Sequence, residues 1–242
     1  MKLRPGREAA VAAIIVLLAM ALFFPLTSLA SGHAQFRSSA TPPLAWTPTP
    51  RGTVLFEDDF ATYSRRWREQ KSPKAAIAYR DSALNVRIVS PGVSAWSVPD
   101  FTTALEDYRI AVTADVNGGS RDSLFGFVLD YQDDRHFYVL MATREGGWRF
   151  VLHEGNEWID LTPANAVPVE RELDSTTVRL RVDVTEDTFT LLVDDRLAGR
   201  VTVDDSSASG SGFGLIARAG RGFVDVSFDN ILVTGTPKVI RP

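Results

Sequence analysis

From Thr53 onward the chain alternates apolar and polar residues with a period of two, the spacing of strands that bury one face. Leu105 to Val116 shows it plainly: Tyr108, Ile110, Val112, Ala114 and Val116 point one way, and Arg109, Thr113 and Asp115 the other. Thr177 to Val184 repeats the pattern, with Val178, Leu180, Val182 and Val184 set against Arg179, Arg181 and Asp183. Phe189, Leu191 and Val193 form the inward side of the next run, Asp194-Asp195 makes a hairpin turn, and Arg196 to Val203 returns. Nearer the start, Leu84, Val86 and Ile88 share a face in a hairpin turned at Asp81-Ser82. Further strands are expected at Thr53 to Phe56, Ile77 to Arg80, Val93 to Val98, Glu157 to Leu161, Phe213 to Arg218 and Val224 to Val233. One short helical turn is expected over Ala61 to Trp67, with Trp67 pinning it to the core.

The most strand-like stretch is Ser123 to Leu152, SLFGFVLDYQDDRHFYVLMATREGGWRFVL. Its Phe, Tyr, Val and Leu suit a pleated surface, and Asp, Gly and Arg at Gln132–Arg135 and Glu145–Gly147 mark two turns. It is therefore expected to form three consecutive strands. Phe125 to Tyr131 is apolar on both faces, which predicts a strand covered on both sides. About 13 or 14 strands spaced roughly 8–12 residues apart, without a long amphipathic helix, indicate an all-β antiparallel sandwich or barrel.

The first 52 residues break the pattern. Lys2, Arg4 and Arg7 precede an uninterrupted apolar run of 16 residues, Ala9 to Phe24, so an N-terminal hydrophobic helix is expected. Ser28-Leu29-Ala30, or Gly32-His33-Ala34, offers the small residues of a signal-peptide cleavage site. Continuation through Pro25 to Ala30 would instead supply the ~20 apolar residues of a membrane anchor. In either case the basic end stays in the cytoplasm and the remainder lies outside, secreted or anchored. Residues 31–52 are rich in Pro, Ser and Thr and read as a disordered linker. The expected organisation is 1–30 targeting or anchoring, 31–52 linker, 53–236 folded domain and 237–242 tail.

Composition narrows the chemistry. The chain has no cysteine, which removes disulfides, a thiol nucleophile, cysteine metal sites and a lipid-modified N-terminal cysteine. An exported chain without cysteine fits a bacterial surface better than an animal secretory pathway. Of 26 Lys and Arg and 30 Asp and Glu, five bases but only Glu8 fall in residues 1–52, leaving 21 against 29 in the rest, a net of −8. Such a body repels phosphate backbones, so no nucleic-acid partner is expected. The membrane would be met only through the N-terminal segment.

Four stretches carry a resemblance: Leu55-Phe56-Glu57-Asp58-Asp59-Phe60 with Trp67; Phe125 to Asp134 followed by Phe137-Tyr138; Val178 to Val182 paired with Phe189 to Val193; and Gly212 to Leu215 followed by Val226 to Ile231. Together they resemble the concanavalin A-like lectin/glucanase superfamily. More narrowly, they resemble its bacterial extracytoplasmic domains of laminin G-like and 3-keto-disaccharide hydrolase type. The resemblance implies an antiparallel jelly-roll β-sandwich. It also implies one of several roles: lectin, carbohydrate-binding module, adhesion domain or glycosidase. Fold alone does not choose among them.

Each of those roles requires a particular set of chemistry-bearing residues. The family 16 glycoside hydrolases of this superfamily carry E-x-D-x-x-E on one strand; here Glu57-x-Asp59 begins it, but Thr62 stands at the final position. Glu157 and Asp160, three apart, face opposite sides of a regular strand. Glu57, Asp58 and Asp229 could supply oxygens to a structural calcium ion if the first and last strands are neighbours, or could simply accept backbone hydrogen bonds. His33, His136 and His153 lack zinc spacing, and Gly210-x-Gly212-x-Gly214 lacks the helix of a dinucleotide fingerprint. Asp130, Tyr138, Arg144, Arg149, His153 and Trp158 are the candidates for a polar, partly aromatic face that binds a glycan or cell-wall polysaccharide. The expectation is an exported, non-catalytic recognition domain. The alternatives are a glycoside or keto-sugar hydrolase and a structural or protein-interaction module.

Overall fold

A computed structural model describes residues 52–101, 103, 105–171, 175–203 and 212–237. The apolar run of 1–30, the linker with Trp46, and most of the expected tail fall outside the described residues. Fifteen strands are present among the described residues. They are β1 (Thr53–Asp58), β2 (Gln70–Lys71), β3 (Ala75–Arg80), β4 (Ala83–Ile88) and β5 (Ser94–Ser97); then β6 (Leu105–Gly119), β7 (Leu124–Asp133), β8 (His136–Thr143), β9 (Trp148–Glu154) and β10 (Glu157–Asp160). The last five are β11 (Thr177–Thr185), β12 (Thr188–Val193), β13 (Arg196–Thr202), β14 (Gly212–Arg218) and β15 (Val224–Pro237).

All pairings between these strands are antiparallel, and they make two sheets. One has nine strands in the order β13-β12-β11-β6-β15-β4-β3-β2, with β1 also on β15. The other has six, β10-β9-β8-β7-β14-β5. The alternation read from the sequence holds: Tyr108, Ile110, Val112, Ala114 and Val116 of β6, and Val178, Leu180, Val182 and Val184 of β11, all enter one buried core. Phe125, Phe127, Leu129, Tyr138, Leu140 and Phe150 meet them from the six-stranded sheet. The result is an antiparallel β-sandwich.

The turns follow from local chemistry. Asp81-Ser82 and Asp194-Asp195 all have positive φ, as a two-residue turn matched to strand twist requires, and Asp is among the residues that tolerate it. The last strand, β15, does double duty. Its first half lies between β6 and β4; after a bulge at Asn230 (φ 54°) its second half lies between β6 and β1. The first and last strands are thus neighbours, as expected.

One local expectation fails. Ala61 to Trp67 forms bends, with no helical turn. Phe60 and Arg65 both take positive φ, which breaks any helical run. Trp67 does pin the segment: it is buried against Phe56 and Phe60, and its Nε1 donates to Asp58 at 3.2 Å. The short strand β2 was not foreseen, because two exposed polar residues carry no periodic signal.

Gly126, in the middle of β7, tests the packing of the six-stranded sheet. A Cβ there would collide with the Leu140 carbonyl oxygen and come within 2.9 Å of Met141 Cα, both backbone atoms of β8. Gly126→Ala is expected to cost about 1–3 kcal/mol by overpacking, read as a lower urea midpoint at unchanged m-value. An unchanged midpoint would mean that β8 can move aside freely.

Candidate functional site

The site begins with an excess of apolar residues. On the six-stranded sheet, the residues facing away from the sandwich core include Val128 of β7, Phe137, Val139 and Met141 of β8, Val151 of β9 and Ile216 of β14. They form a second buried cluster, with Trp96, Leu124, Tyr131 and Trp158 packed half-buried on it. This is the two-sided burial that Phe125 to Tyr131 predicted.

Trp96 and Trp158 come from β5 and β10, the opposite edges of this sheet. Five strand spacings on a flat sheet would separate these edges by about 24 Å. The two indole centroids are 6.2 Å apart. The sheet therefore curls toward this face, and its edges bring their aromatic rings together above Phe137, which is 5.3 Å from Trp96. Trp158 stacks on His153 at 4.3 Å and 25°. His153 is only 7% exposed, and its Nδ1 donates to the Glu157 carbonyl oxygen at 3.0 Å, which fixes the tautomer and the ring plane.

A charged anchor holds the other indole. Asp134, in the β7–β8 turn, accepts hydrogen bonds from Tyr131 Oη at 2.9 Å, Arg68 Nη1 at 3.0 Å and Trp96 Nε1 at 3.4 Å. Burial alone would raise this carboxyl; the bonds from Tyr131 and Arg68, the Arg68 charge and the Trp96 bond outweigh it and hold Asp134 below its usual value. Arg68 is placed by the segment that Trp67 pins. Ser97 Oγ donates to the Arg68 carbonyl at 2.9 Å, and Asp100 N to that of Arg66 at 2.7 Å. Two clefts of about 510 Å³ each meet at Arg68. One is lined by Trp96, His153, Ser94, Asn156 and Asp134; the other runs past Arg65, Pro99 and Tyr131. Half-exposed indoles, a fixed imidazole and hydrogen-bonding groups at one rim can stack on a ring and bond its hydroxyls.

No family model matches the chain, and no curated protein matches it. Solved structures do. A carbohydrate-binding module, CBM66 from Bacillus subtilis, matches with a TM-score of 0.54 at 14% identity, over 70% of this chain and 96% of that one. A Bacillus subtilis protein of unknown function with a galectin-like fold gives 0.54 at 10%, over 79% and 99%. A GH43 protein from Bacillus licheniformis gives 0.52 at 14%, over 78% of this chain but 41% of that one. The likeness is one of fold, a β-sandwich.

The structure redistributes the residues expected to bind. His153 and Trp158 stand together at the site. Arg149 is on the same face but exposed and directed at Asp160, 3.7 Å away. Tyr138 is a correction: it is 1% exposed and faces the sandwich core, stacked on Phe150 at 5.3 Å. Its neighbours Phe137 and Val139 face out in its place. Asp130 is a second correction. A bulge in β7, with Asp130 at φ 48°, turns its carboxylate inward to accept from Tyr108 Oη at 2.9 Å and turns Tyr131 outward. Burial, and then the Asp130 charge, push the Tyr108 hydroxyl well above its usual value, so it remains the donor. Arg144 is a third correction: it lies in the β8–β9 turn, at the end of that hairpin away from His153 and Phe137, where its carbonyl accepts from Arg171. Trp148, at the start of β9, is buried in the core.

Of the two arrangements expected for Asp58 and Asp229, the structure shows carboxylates that accept backbone hydrogen bonds. Asp58 accepts from Phe60 N at 2.8 Å, Trp67 Nε1 at 3.2 Å and Ser64 Oγ at 3.4 Å, so it is occupied with holding the chain. Asp229 accepts from the backbone N and the Nδ2 of Asn230, each at 2.7 Å. Burial raises Asp229, and the charges of Asp115, Asp59 and Asp58 add to this. Glu57 lines a cleft of about 460 Å³ beside the β15 bulge. Among the described residues no three Asp, Glu or His side chains converge as metal ligands.

Trp96, Tyr131, Phe137, Arg68 and Asp134 were missed. Alternation about Ala95 and Ser97 would have placed Trp96 outward; the rest depended on the bulge and on long-range curvature. Asp134 gives a pH test. Its lowered value means that the clasp on Trp96 is fully formed above the ordinary carboxylate range of about 3.9. It is lost only as pH falls through the lower folded value. The difference in emission between the wild type and Trp96→Phe should be flat from pH 7 to about 4 and change below that. A transition near pH 6 would place control on a histidine instead.

Proposed function

We propose that the protein is an exported, non-catalytic carbohydrate-binding domain, and that it binds through the curled outer face of the six-stranded sheet. The observation that carries this is the pair of half-exposed indoles, Trp96 and Trp158, that meet across the sheet beside a polar cleft. An apolar sheet face left half-open is unusual in a protein without a partner for it. Sugar rings present apolar C–H faces and hydroxyl edges, and this surface offers indoles for the first and Asp134, Asn156, Ser94 and Arg68 for the second. The neighbouring carbohydrate-binding module supports the same direction. We read the sandwich as a jelly roll of concanavalin A-like type, with the N-terminal segment directing export or anchoring the domain outside a bacterial membrane.

A hydrolase is the second reading, and Asp229 is what favours it: a carboxyl raised by burial beside Asp58 and Asp59 is the kind of arrangement an acid catalyst needs. Release of reducing sugar that stops in Asp229→Asn would establish it.

A glycan array probed with the full chain is the direct test. Trp158→Ala and Trp96→Ala should each weaken the best binder at least about thirtyfold, as expected for a buried aromatic contact worth about 2 kcal/mol or more. Both should keep the cooperative unfolding of the wild type. Binding unaffected by either substitution would remove this face from the function. Separately, mass spectrometry of the exported protein should find a new N-terminus near Ser31 or Gln35; an intact Met1 or Lys2 would mean an anchor.

A further inference from the structure

Arg218, a half-buried cation on the outer face, has no carboxylate partner among the described residues. Arg218 ends β14, on the same side of the sheet as Ile216, and is half-buried. Its Nη1 donates to Ser94 Oγ at 3.0 Å, and its guanidinium lies 5.9 Å from the centre of the Trp158 ring. Three other arginines near this sheet are paired: Arg149 with Asp160, Arg68 with Asp134, Arg221 with Asp122. Among the described residues, no carboxylate pairs with Arg218.

This is costly for the free protein. A guanidinium that loses part of its water to an aromatic surface is stabilised when a carboxylate replaces that water, and a hydroxyl replaces it only weakly. The cation–π contact is at the outer limit of its range. The body of the protein is acidic, yet the hydrogen bond given for Arg218 goes to the Ser94 hydroxyl and no described carboxylate forms an ion pair with it. The remaining N–H groups of the fork match the planar geometry of a carboxylate, which takes two parallel hydrogen bonds.

We propose that Arg218 is the residue that reads an acidic sugar: the ring stacks at Trp158 and its carboxylate takes the Arg218 fork. This rests on the carbohydrate reading of the aromatic face and adds the ligand class to it. The net charge limits the ligand further. A body of net −8 repels a densely charged polyanion over a Debye length of about 8 Å. A glycan carrying one carboxylate per binding footprint, of uronate or sialate type, satisfies Arg218 without that penalty.

The test is calorimetric titration of the full chain with acidic oligosaccharides and with the methyl ester of each, which keeps the ring and removes the charge. The wild type should prefer acid over ester by roughly tenfold to a hundredfold, the range for a hydrogen bond to a charged group. Arg218→Gln should abolish that preference by weakening the acid far more than the ester, while Arg218→Lys should keep part of it, having charge without the fork. Equal binding of acid and ester by the wild type would overturn the proposal, as would an Arg218→Gln effect of the same size on both. If esters or neutral glycans bind in a Trp158-dependent way without any preference for acid, the acidic-sugar inference fails and the carbohydrate reading survives. If no sugar of either kind binds, both fail. A sulfated analogue that replaces the acid at equal affinity would show a general anion site and overturn the assignment to carboxylate.

Discussion

A β-sheet in a sandwich normally has one face to bury and one to leave in water. The six-stranded sheet here has two apolar faces. Phe125, Phe127 and Leu129 go into the sandwich, while Val128, Val139, Met141 and Ile216 go to the other side. Water is a poor neighbour for that second set, at about 25 cal/mol for each Å² exposed. The chain has no helix among its described residues to lay over it. The cover comes from the sheet itself, which curls until Trp96 and Trp158 reach across from its two edges. Most of what is specific to the site follows from this solution, because a cover made of side chains leaves gaps that a helix would have closed.

The curl requires its edges to be held. On the β5 side the holding runs back to the first strand. Asp58 at the end of β1 accepts from Trp67 Nε1, Trp67 bridges to Pro99, and Ser97 takes the Arg68 carbonyl. Arg68 and Tyr131 then converge on Asp134, which accepts from the Trp96 indole. On the β10 side, Trp158 rests on His153, whose ring is fixed by the Glu157 carbonyl. The double pairing of β15 supports the first of these chains, since its bulge at Asn230 is where β1 replaces β4 as neighbour. Asp58 therefore serves the site indirectly, as a support for Trp67, and its oxygens are already committed.

The sandwich was legible because period-two alternation reports directly on burial, and β6 and β11 alternate without interruption. The two-sided character of Phe125 to Tyr131 was legible for the same reason. What covers the outer side was not, because nothing local in the sequence states which distant edge a tryptophan will cross to. Tyr138 and Asp130 show the two ways in which register misleads. Tyr138 was placed on the wrong side of β8, where every residue from Phe137 to Ala142 is apolar and alternation carries no information. Asp130 was assigned the correct parity for a regular strand, and a bulge reversed it. An aspartate tolerates the positive φ of that bulge better than most residues, but an Asp in a strand does not announce one.

The same curl bears on how tightly such a face could bind. Association loses free energy to the ordering of side chains, about 0.5–1.5 kcal/mol for each flexible one immobilised. Trp96 is already tied through its indole N–H, Trp158 is already stacked, and His153 has one tautomer and one ring plane. A ligand arriving here meets rings whose orientation is set by the folded chain, so more of its stacking energy appears as affinity. The arginine at the end of β14 differs in kind. Its position is set by Ser94 and the Trp158 ring, but its charge has no carboxylate to meet among the described residues. Rigid aromatic rings favour flat ligands in general, whereas a half-buried charge favours one sign. On the proposed carbohydrate reading the labour would be divided: the indoles would supply most of the contact area, and the guanidinium would decide which rings are accepted.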